Sequence, residues 1–257
     1  MSRRATAAFI ALTLCCFANA VSAQDNFEIQ VYGSELVAKG ATTTELHSNF
    51  TTRGGAGAFG SYHALHETIE ITHGFTEFFE LGFYHFMSVQ STGGLTYVGN
   101  HIRPRFSIPQ RLNLPVGLSL SQEIGYTSGD FTEDTWTWEV RPIIDKRIGR
   151  FYTSLNPVLG FVMSGPRKGG SPEFAPQAQV GFDVTPKVNL ALEYYGTTGT
   201  LAKSEPFRNT QQYLFPALNI DFGPEWEFNI ATGLPLTSIT DRVILKMIVG
   251  HRFGAKQ

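Results

Sequence analysis

From about residue 42 to residue 253 the chain alternates apolar and polar residues with a period of two, in runs of roughly ten to fourteen residues. A β-strand sends successive side chains to opposite faces, so the pattern prescribes strands with one apolar and one polar face. Twelve runs can be marked: about 42–52, 61–73, 76–89, 95–108, 115–128, 134–147, 150–164, 173–185, 187–200, 209–222, 225–235 and 241–253. None sustains a 3.6-residue period long enough for a helix, and Gly and Pro fall at the ends of runs, where turns need them. The chain is therefore all-β.

The connections alternate in kind. His73-Gly74-Phe75, Ile148-Gly149-Arg150, Thr185-Pro186-Lys187 and Gly223-Pro224-Glu225 are tight turns. Between them stand the looser links RGGAGAFG, QSTGG, SGDFTED, GPRKGGSP and LAKSEPFR, and only the link at 109–114 departs from the alternation. An even strand count with short turns at one end and longer loops at the other describes a transmembrane antiparallel β-barrel of the bacterial outer membrane. A soluble β-sandwich also alternates. The uncharged outward faces and the loop asymmetry weigh against it.

The barrel explains why carboxylates are threaded singly through apolar runs, as Glu70 is between Ile69 and Ile71 and Glu80 between Phe79 and Leu81. One face meets lipid and the other the lumen. In 134–147 the outward set is Trp136, Trp138, Val140, Pro142 and Ile144, and the inward set Thr137, Glu139, Arg141 and Asp145. In 241–253 Val243, Leu245, Met247, Val249 and Phe253 face lipid, and Arg242, Lys246 and Arg252 face inward. The opposite register would set Lys or Arg against hydrocarbon at about 2–4 kcal/mol each near the midplane. Phe75, Phe78, Phe79, Phe151, Phe222, Trp226 and Phe253 gather near the tight turns, and Trp136 and Trp138 near a long loop, as aromatic girdles do.

The ends of the chain read differently. Arg3 and Arg4, the apolar stretch AFIALTLCCFA and the small residues Val21-Ser22-Ala23 form a cleaved signal peptide over 1–23. Cys15-Cys16 lies inside the apolar stretch rather than at its end, so it does not fit a lipidation box. Residues 24–40 are expected as a periplasmic lead-in, with a fold-back into the lumen as a partial plug the alternative. The barrel spans 41–253, and 254–257 is a tail. Both cysteines fall within 1–23, so the mature chain has no disulfide to staple it. The formal charge of −2 becomes −4 once Arg3 and Arg4 are removed, and no basic stripe points to nucleic acid. No apolar run of about eighteen residues follows residue 23, so no membrane helix is expected.

RVILKMIVGHRF, closing on Phe253, resembles the C-terminal sorting signal read by the outer-membrane assembly machinery, although Gly254-Ala255-Lys256-Gln257 follow it. EIQVYGSELV, ELHSNFT, HETIEITHGFTEFFELGFY, NHIRPR and PVGLSLSQEIGY resemble a family of uncharacterised bacterial outer-membrane barrels often labelled transporters, over nearly all of 26–253. The resemblance implies the fold and the location, and brings no substrate or catalytic residue with it.

Twelve strands lie between a barrel that side chains fill and one that leaves an aqueous channel. The lining therefore decides. Simple antiparallel pairing sets His101 beside Glu123 and Glu123 beside Glu139, with Arg103 and Arg141 flanking Ser121. Glu45, His47, Glu70, Glu80, Glu193, Glu227, Arg105 and Lys246 also point inward. Such charges either brace the wall by satisfying one another or line a selective path, and can do both. The like-charged Glu123 and Glu139 would hold a cation or shift a proton equilibrium. The leading expectation is a channel or transporter for small polar or charged solutes, with His101, Arg103, Glu123, Glu139 and Arg141 at the constriction. Membrane lipid and lipopolysaccharide are the expected surroundings.

Two other classes compete. Ser61, His63 and Glu67 share the outward parity at the loop end of the second run, and pairing that sets His85 opposite Leu65 brings it near His63. A serine, a base and an acid in hydrogen-bond reach could form an outer-leaflet lipid hydrolase. A bulge turning this half-strand inward would instead spare Glu67 the lipid. The third class is a closed structural barrel. No zinc spacing, phosphate loop or nucleotide fingerprint stands in the sequence, His47 and His101 read as isolated histidines, and neither metal nor cofactor is expected.

Overall fold

A computed structural model describes residues 26–52, 64–89 and 93–254. Twelve long strands form one antiparallel sheet: β1 (Thr42–Thr51), β2 (Ala64–Gly74), β3 (Phe79–Val89), β4 (Leu95–Ser107), β5 (Gly117–Thr127), β6 (Trp136–Ile148), β7 (Phe151–Ser164), β8 (Glu173–Thr185), β9 (Val188–Gly196), β12 (Gln212–Asp221), β13 (Trp226–Pro235) and β14 (Ile244–Phe253). The two-residue strands β10 (Gly199–Thr200) and β11 (Lys203–Ser204) make a small hairpin in the loop between β9 and β12. Each long strand pairs with its neighbours in sequence, and β1 pairs with β14 through all ten of its residues, from Thr42 against Phe253 to Thr51 against Ile244. The sheet closes on itself, and closure is what lets a β-sheet cross lipid without leaving backbone groups unpaired.

The sequence runs and the strands correspond throughout, most strands being trimmed by one to three residues at an end. Arg242 is the exception to its expected face: β14 starts at Ile244, and Arg242 is exposed in the loop before it. The outer wall carries an apolar belt that can be followed from strand to strand. Ile71 pairs with Phe83, Phe83 with Ile102, Ile102 with Ile124, Ile124 with Trp138, and Trp138 with Phe161. Aromatic residues flank the belt. At the tight-turn end Phe75, Phe78, Phe151, Phe222, Trp226 and Phe253 are exposed, with the Phe79 ring tilted against Phe106 at 4.9 Å; at the long-loop end Trp136 is exposed.

Residues 26–38, expected outside the barrel, run through its interior. The segment starts at the long-loop end, where the Asn26 side-chain amide donates to Asp241 at 3.0 Å. It ends at the tight-turn end, where Lys39 bridges Gly74 and the Gly40 amide donates to the Gly74 carbonyl at 2.7 Å. Gly74 is needed there, because a β-carbon at that position would overlap the Val37 and Ala38 carbonyls. The reason for the internal course is written in FEIQVY. Ile29 and Val31 cover an apolar patch of the inner wall made by Tyr195, Tyr213, Phe215, Ala217, Ala231 and Ile244, and Phe27 covers a second made by Tyr84, Phe86 and Val98. Those wall residues would otherwise face water, at roughly 25 cal/mol per Å².

Candidate functional site: a charged lumen around Tyr32

The internal segment adds no strand to the barrel. It is held instead by wall side chains that satisfy its backbone, as buried peptide groups require. Asn156 Oδ1 accepts from the Tyr32 amide at 2.8 Å, and Ser154 Oγ and Asn156 Nδ2 donate to the Tyr32 carbonyl at 2.6 and 3.0 Å. Thr68 Oγ1 donates to the Phe27 carbonyl, Arg141 to Gln30, Arg105 to Gly33 and Glu35, and the Val37 amide to Glu80. Ser34 is bound to both oxygens of Asp145, through its amide at 2.8 Å and its hydroxyl at 2.7 Å.

Tyr32 is the centre of this arrangement. The guanidinium carbons of Arg103, Arg141 and Arg105 lie 4.5, 4.8 and 5.6 Å from its ring centroid. Its hydroxyl bonds Glu28 and lies 3.2 Å from the Tyr84 hydroxyl. Each arginine is also ion-paired. Arg103 reaches Glu70 at 2.6 Å and Glu80 at 3.7 Å, Arg105 reaches Glu80 at 2.8 Å, and Arg141 reaches Glu139 at 2.8 Å. Lys246 and Glu193 form a separate buried pair at 2.7 Å, with the Tyr195 hydroxyl donating to the same carboxylate. His47 stands 3.2 Å from Glu45 and 3.3 Å from Glu70.

The structure thus sets His101, Arg103, Arg105, Glu123, Glu139, Arg141, Glu45, His47, Glu70, Glu80, Glu193 and Lys246 on the inner face, joined mostly in opposite-charge pairs. Two pairings differ from simple register. His101 pairs with Gly125, and Arg105 rather than Arg103 stands opposite Ser121, a slip of two residues between β4 and β5. Their connecting loop, with its 3-10 turn Gln110–Leu112, offsets the strand ends so that Ser107 meets Ser119. A two-residue slip keeps every side chain on its face. Contact between His101 and Glu123 survives because Gly125 has no β-carbon to collide with the His101 ring. Glu123 and Glu139 are cross-strand partners, yet each carboxylate turns to its own base, His101 and Arg141.

Of the polar residues expected on the outer wall, Glu67 and His85 are among the described residues. Ser61 and His63 lie outside the described residues. β2 pairs without a bulge on both sides through Glu67, so that carboxylate stays on the outer face and takes a 2.7 Å hydrogen bond from Ser48. His85 is opposite Ile69, while Leu65 is opposite Val89, and the His85 ring is bound at 2.7 Å to Asn100. Glu67 and His85 are each partnered away from the other.

Beside the segment, towards the tight turns, is a cavity of about 790 Å³. Gln30 to Lys39 line one side of it, and Glu45, Glu70, Glu80, Arg103, Arg105 and Asp145 the other. The sequence holds one signal for the internal course: FEIQVYG alternates as the strands do but has no partner run before β1. The apolar inner-wall residues Tyr195, Tyr213 and Phe215, odd among polar lumen positions, are its complement.

No protein-family model matches the chain, and no curated protein matches it by sequence. Solved structures do match in fold. The COG4313 outer membrane channel from Pseudomonas putida F1 superposes with a TM-score of 0.63 at 14% identity, over 88% of this chain and 100% of that one. The NanC porin matches with a TM-score of 0.53 at 7% identity, over 82% and 99%, and the KdgM porin with 0.52 at 11% identity, over 83% and 99%. The chain has the fold of the outer-membrane β-barrel channels.

Proposed function

We propose that the protein is an outer-membrane channel for small polar or charged solutes, closed by its own residues 26–38 and opened when they withdraw. The observation that carries this reading is the way the segment is held. It contributes no strand to the barrel, so the sheet stays closed whether the segment is in or out, and the backbone groups of Phe27, Gln30, Tyr32, Gly33, Ser34, Glu35 and Val37 are held by side chains of the wall. A barrel that only had to be solid could fill its interior with apolar side chains at no loss of stability. This one keeps an ion-paired lining behind a separable segment. Among the described residues that line the lumen around the segment, seven carboxylates (Glu45, Glu70, Glu80, Glu123, Glu139, Asp145 and Glu193) stand against four cations (Arg103, Arg105, Arg141 and Lys246), which favours cations in the open state. The fold shared with a channel and two porins agrees with this reading, and one of them, the KdgM porin, is known in complex with disordered oligogalacturonate.

The test is single-channel recording of the refolded mature chain in a planar bilayer, with a salt gradient to read selectivity. Discrete steps, rarer in the intact chain than in one lacking 26–38, are expected. Silence from both proteins, each shown to be folded by heat-modifiable migration, would make the charges a brace and the barrel a structural one.

A further inference from the structure

Glu45 and His47 are alternate residues of β1, both turned into the lumen, and Glu70 on β2 pairs directly with Glu45. Three side chains of different chemistry are thereby brought to one spot by strand geometry alone. The His47 ring is fully buried, and its Nε2 faces Glu45 Oε2 at 3.2 Å and Glu70 Oε2 at 3.3 Å. None of these three atoms is aligned for a hydrogen bond, and His47 Nδ1 has no hydrogen-bond partner either. A buried imidazole with an unsatisfied nitrogen is unfavourable unless something else binds it.

The spacing has another explanation. Ligands placed at about 2.0–2.1 Å around a tetrahedral zinc ion are separated by roughly 3.3 Å. The nitrogen-to-oxygen distances here have that value, and all three atoms lie within 4.8 Å of one another. Glu70 is also fixed as a metal ligand should be. Its Oε1 accepts from Arg103 at 2.6 Å and from the Thr72 hydroxyl at 2.7 Å, which leaves Oε2 aimed at the histidine. One imidazole and two carboxylates suit zinc-type ions, whereas calcium and magnesium prefer six or more oxygens. Glu45 and Glu70 both line the 790 Å³ cavity, so an ion could arrive from the tight-turn end and keep a fourth position open to it.

We propose that Glu45, His47 and Glu70 form a binding site for one divalent transition-metal ion of the zinc type, set in the lumen wall with its open position on the cavity. The site belongs to the wall and does not depend on conduction, so its test is separate from that of the channel.

The experiment is titration of the untagged, folded mature chain in detergent with Co²⁺, read by visible absorption, followed by displacement with Zn²⁺. One Co²⁺ per chain, with the intense bands of a four-coordinate ion bleached by Zn²⁺, is the expected result. His47→Gln and Glu45→Gln should each weaken binding at least tenfold while heat-modifiable migration stays normal. The two are made separately, so loss of folding in one leaves the other to decide. Absence of saturable binding to the wild-type chain would overturn the proposal, and so would equal binding by a folded variant. Either result would leave His47 as a cation bridging two carboxylates.

Discussion

The guanidinium carbon of Arg103 stands 4.5 Å from the centre of the Tyr32 ring, while the same guanidinium donates to Glu70 at 2.6 Å. The arginine thus joins the internal segment to the wall, and Arg141 and Arg105 repeat the contact from two other directions. A desolvated cation–π contact contributes up to about 2 kcal/mol, and an exposed one about 0.5–1 kcal/mol. Tyr32→Ala should therefore raise the frequency of conducting events about tenfold, the equivalent of about 1.4 kcal/mol. Tyr32→Phe keeps the ring and should stay much closer to wild type. Bilayer recordings in which the alanine and phenylalanine variants behave alike would remove the ring from this role.

Withdrawal of the segment can be blocked covalently. A β-carbon on Gly117 would meet both the Asp145 carboxylate and the Ser34 hydroxyl, so the two positions are close enough to bridge once the Asp145 side chain turns aside. Because the sequence's two cysteines are Cys15 and Cys16, the double variant Ser34→Cys/Gly117→Cys made in a chain beginning at Gln24 would carry a single possible bridge. Oxidised protein should be silent in the bilayer and reduced protein should conduct. Equal conductance in both redox states would mean that solutes pass with the segment in place.

Much of this molecule could be read from period-two alternation. The apolar belt through Ile71, Phe83, Ile102 and Ile124 and the inward parity of Glu70, Glu80 and Lys246 need only the pleat of a strand and the cost of charge in lipid. What escaped depends on relations between strands. The slip that moves Arg105 opposite Ser121 is set by an irregular loop, which periodicity does not describe. His47 looks isolated along the chain because only one of its two carboxylate neighbours, Glu45, is on its own strand, and Glu70 comes from β2. The course of residues 26–38 turns on apolar patches at Tyr195, Tyr213 and Phe215, which alternate as correctly as the polar lumen positions beside them.

Selectivity should respond to Arg141. Its Nε donates to Glu139 at 2.8 Å, Glu123 is the cross-strand partner of Glu139, and Arg141 also donates to the Gln30 carbonyl. Arg141→Ala removes positive charge from the place where carboxylates crowd most closely. The reversal potential in a salt gradient should move towards the cation limit, and Arg141→Lys should recover part of the shift. An unchanged reversal potential would put this row outside the conducting path.

Lys246 and Glu193 test the bracing role without reference to transport. Both are almost fully buried, and their pair at 2.7 Å lies away from the arginine cluster. Breaking a buried pair from one side leaves an uncompensated charge and costs about 3–5 kcal/mol, whereas replacing both partners by apolar residues is often neutral. Lys246→Met alone should lower the urea midpoint of the refolded protein sharply. Lys246→Met/Glu193→Leu should restore most of the loss. A double variant no more stable than the single one would show that Glu193 is satisfied by Tyr195 without the lysine.

The outer wall makes the simplest demand. Phe83 is exposed on β3 between Ile71 on β2 and Ile102 on β4, in the middle of the apolar belt. Arginine at such a depth costs about 2–4 kcal/mol in a lipid bilayer. Gly82, its neighbour in the chain, points to the lumen instead, where a β-carbon would come within 2.9 Å of the Thr72 hydroxyl and 3.4 Å of Arg103 Nε. Phe83→Arg should therefore reduce the folded fraction in vesicles by more than tenfold, and Phe83→Leu should change it little. The penalty should shrink when the same variant is folded in short-chain detergent, where the side chain can reach water. An arginine variant that folds in vesicles as well as the wild type would place Phe83 off the lipid-facing belt, and with it the register of β2, β3 and β4.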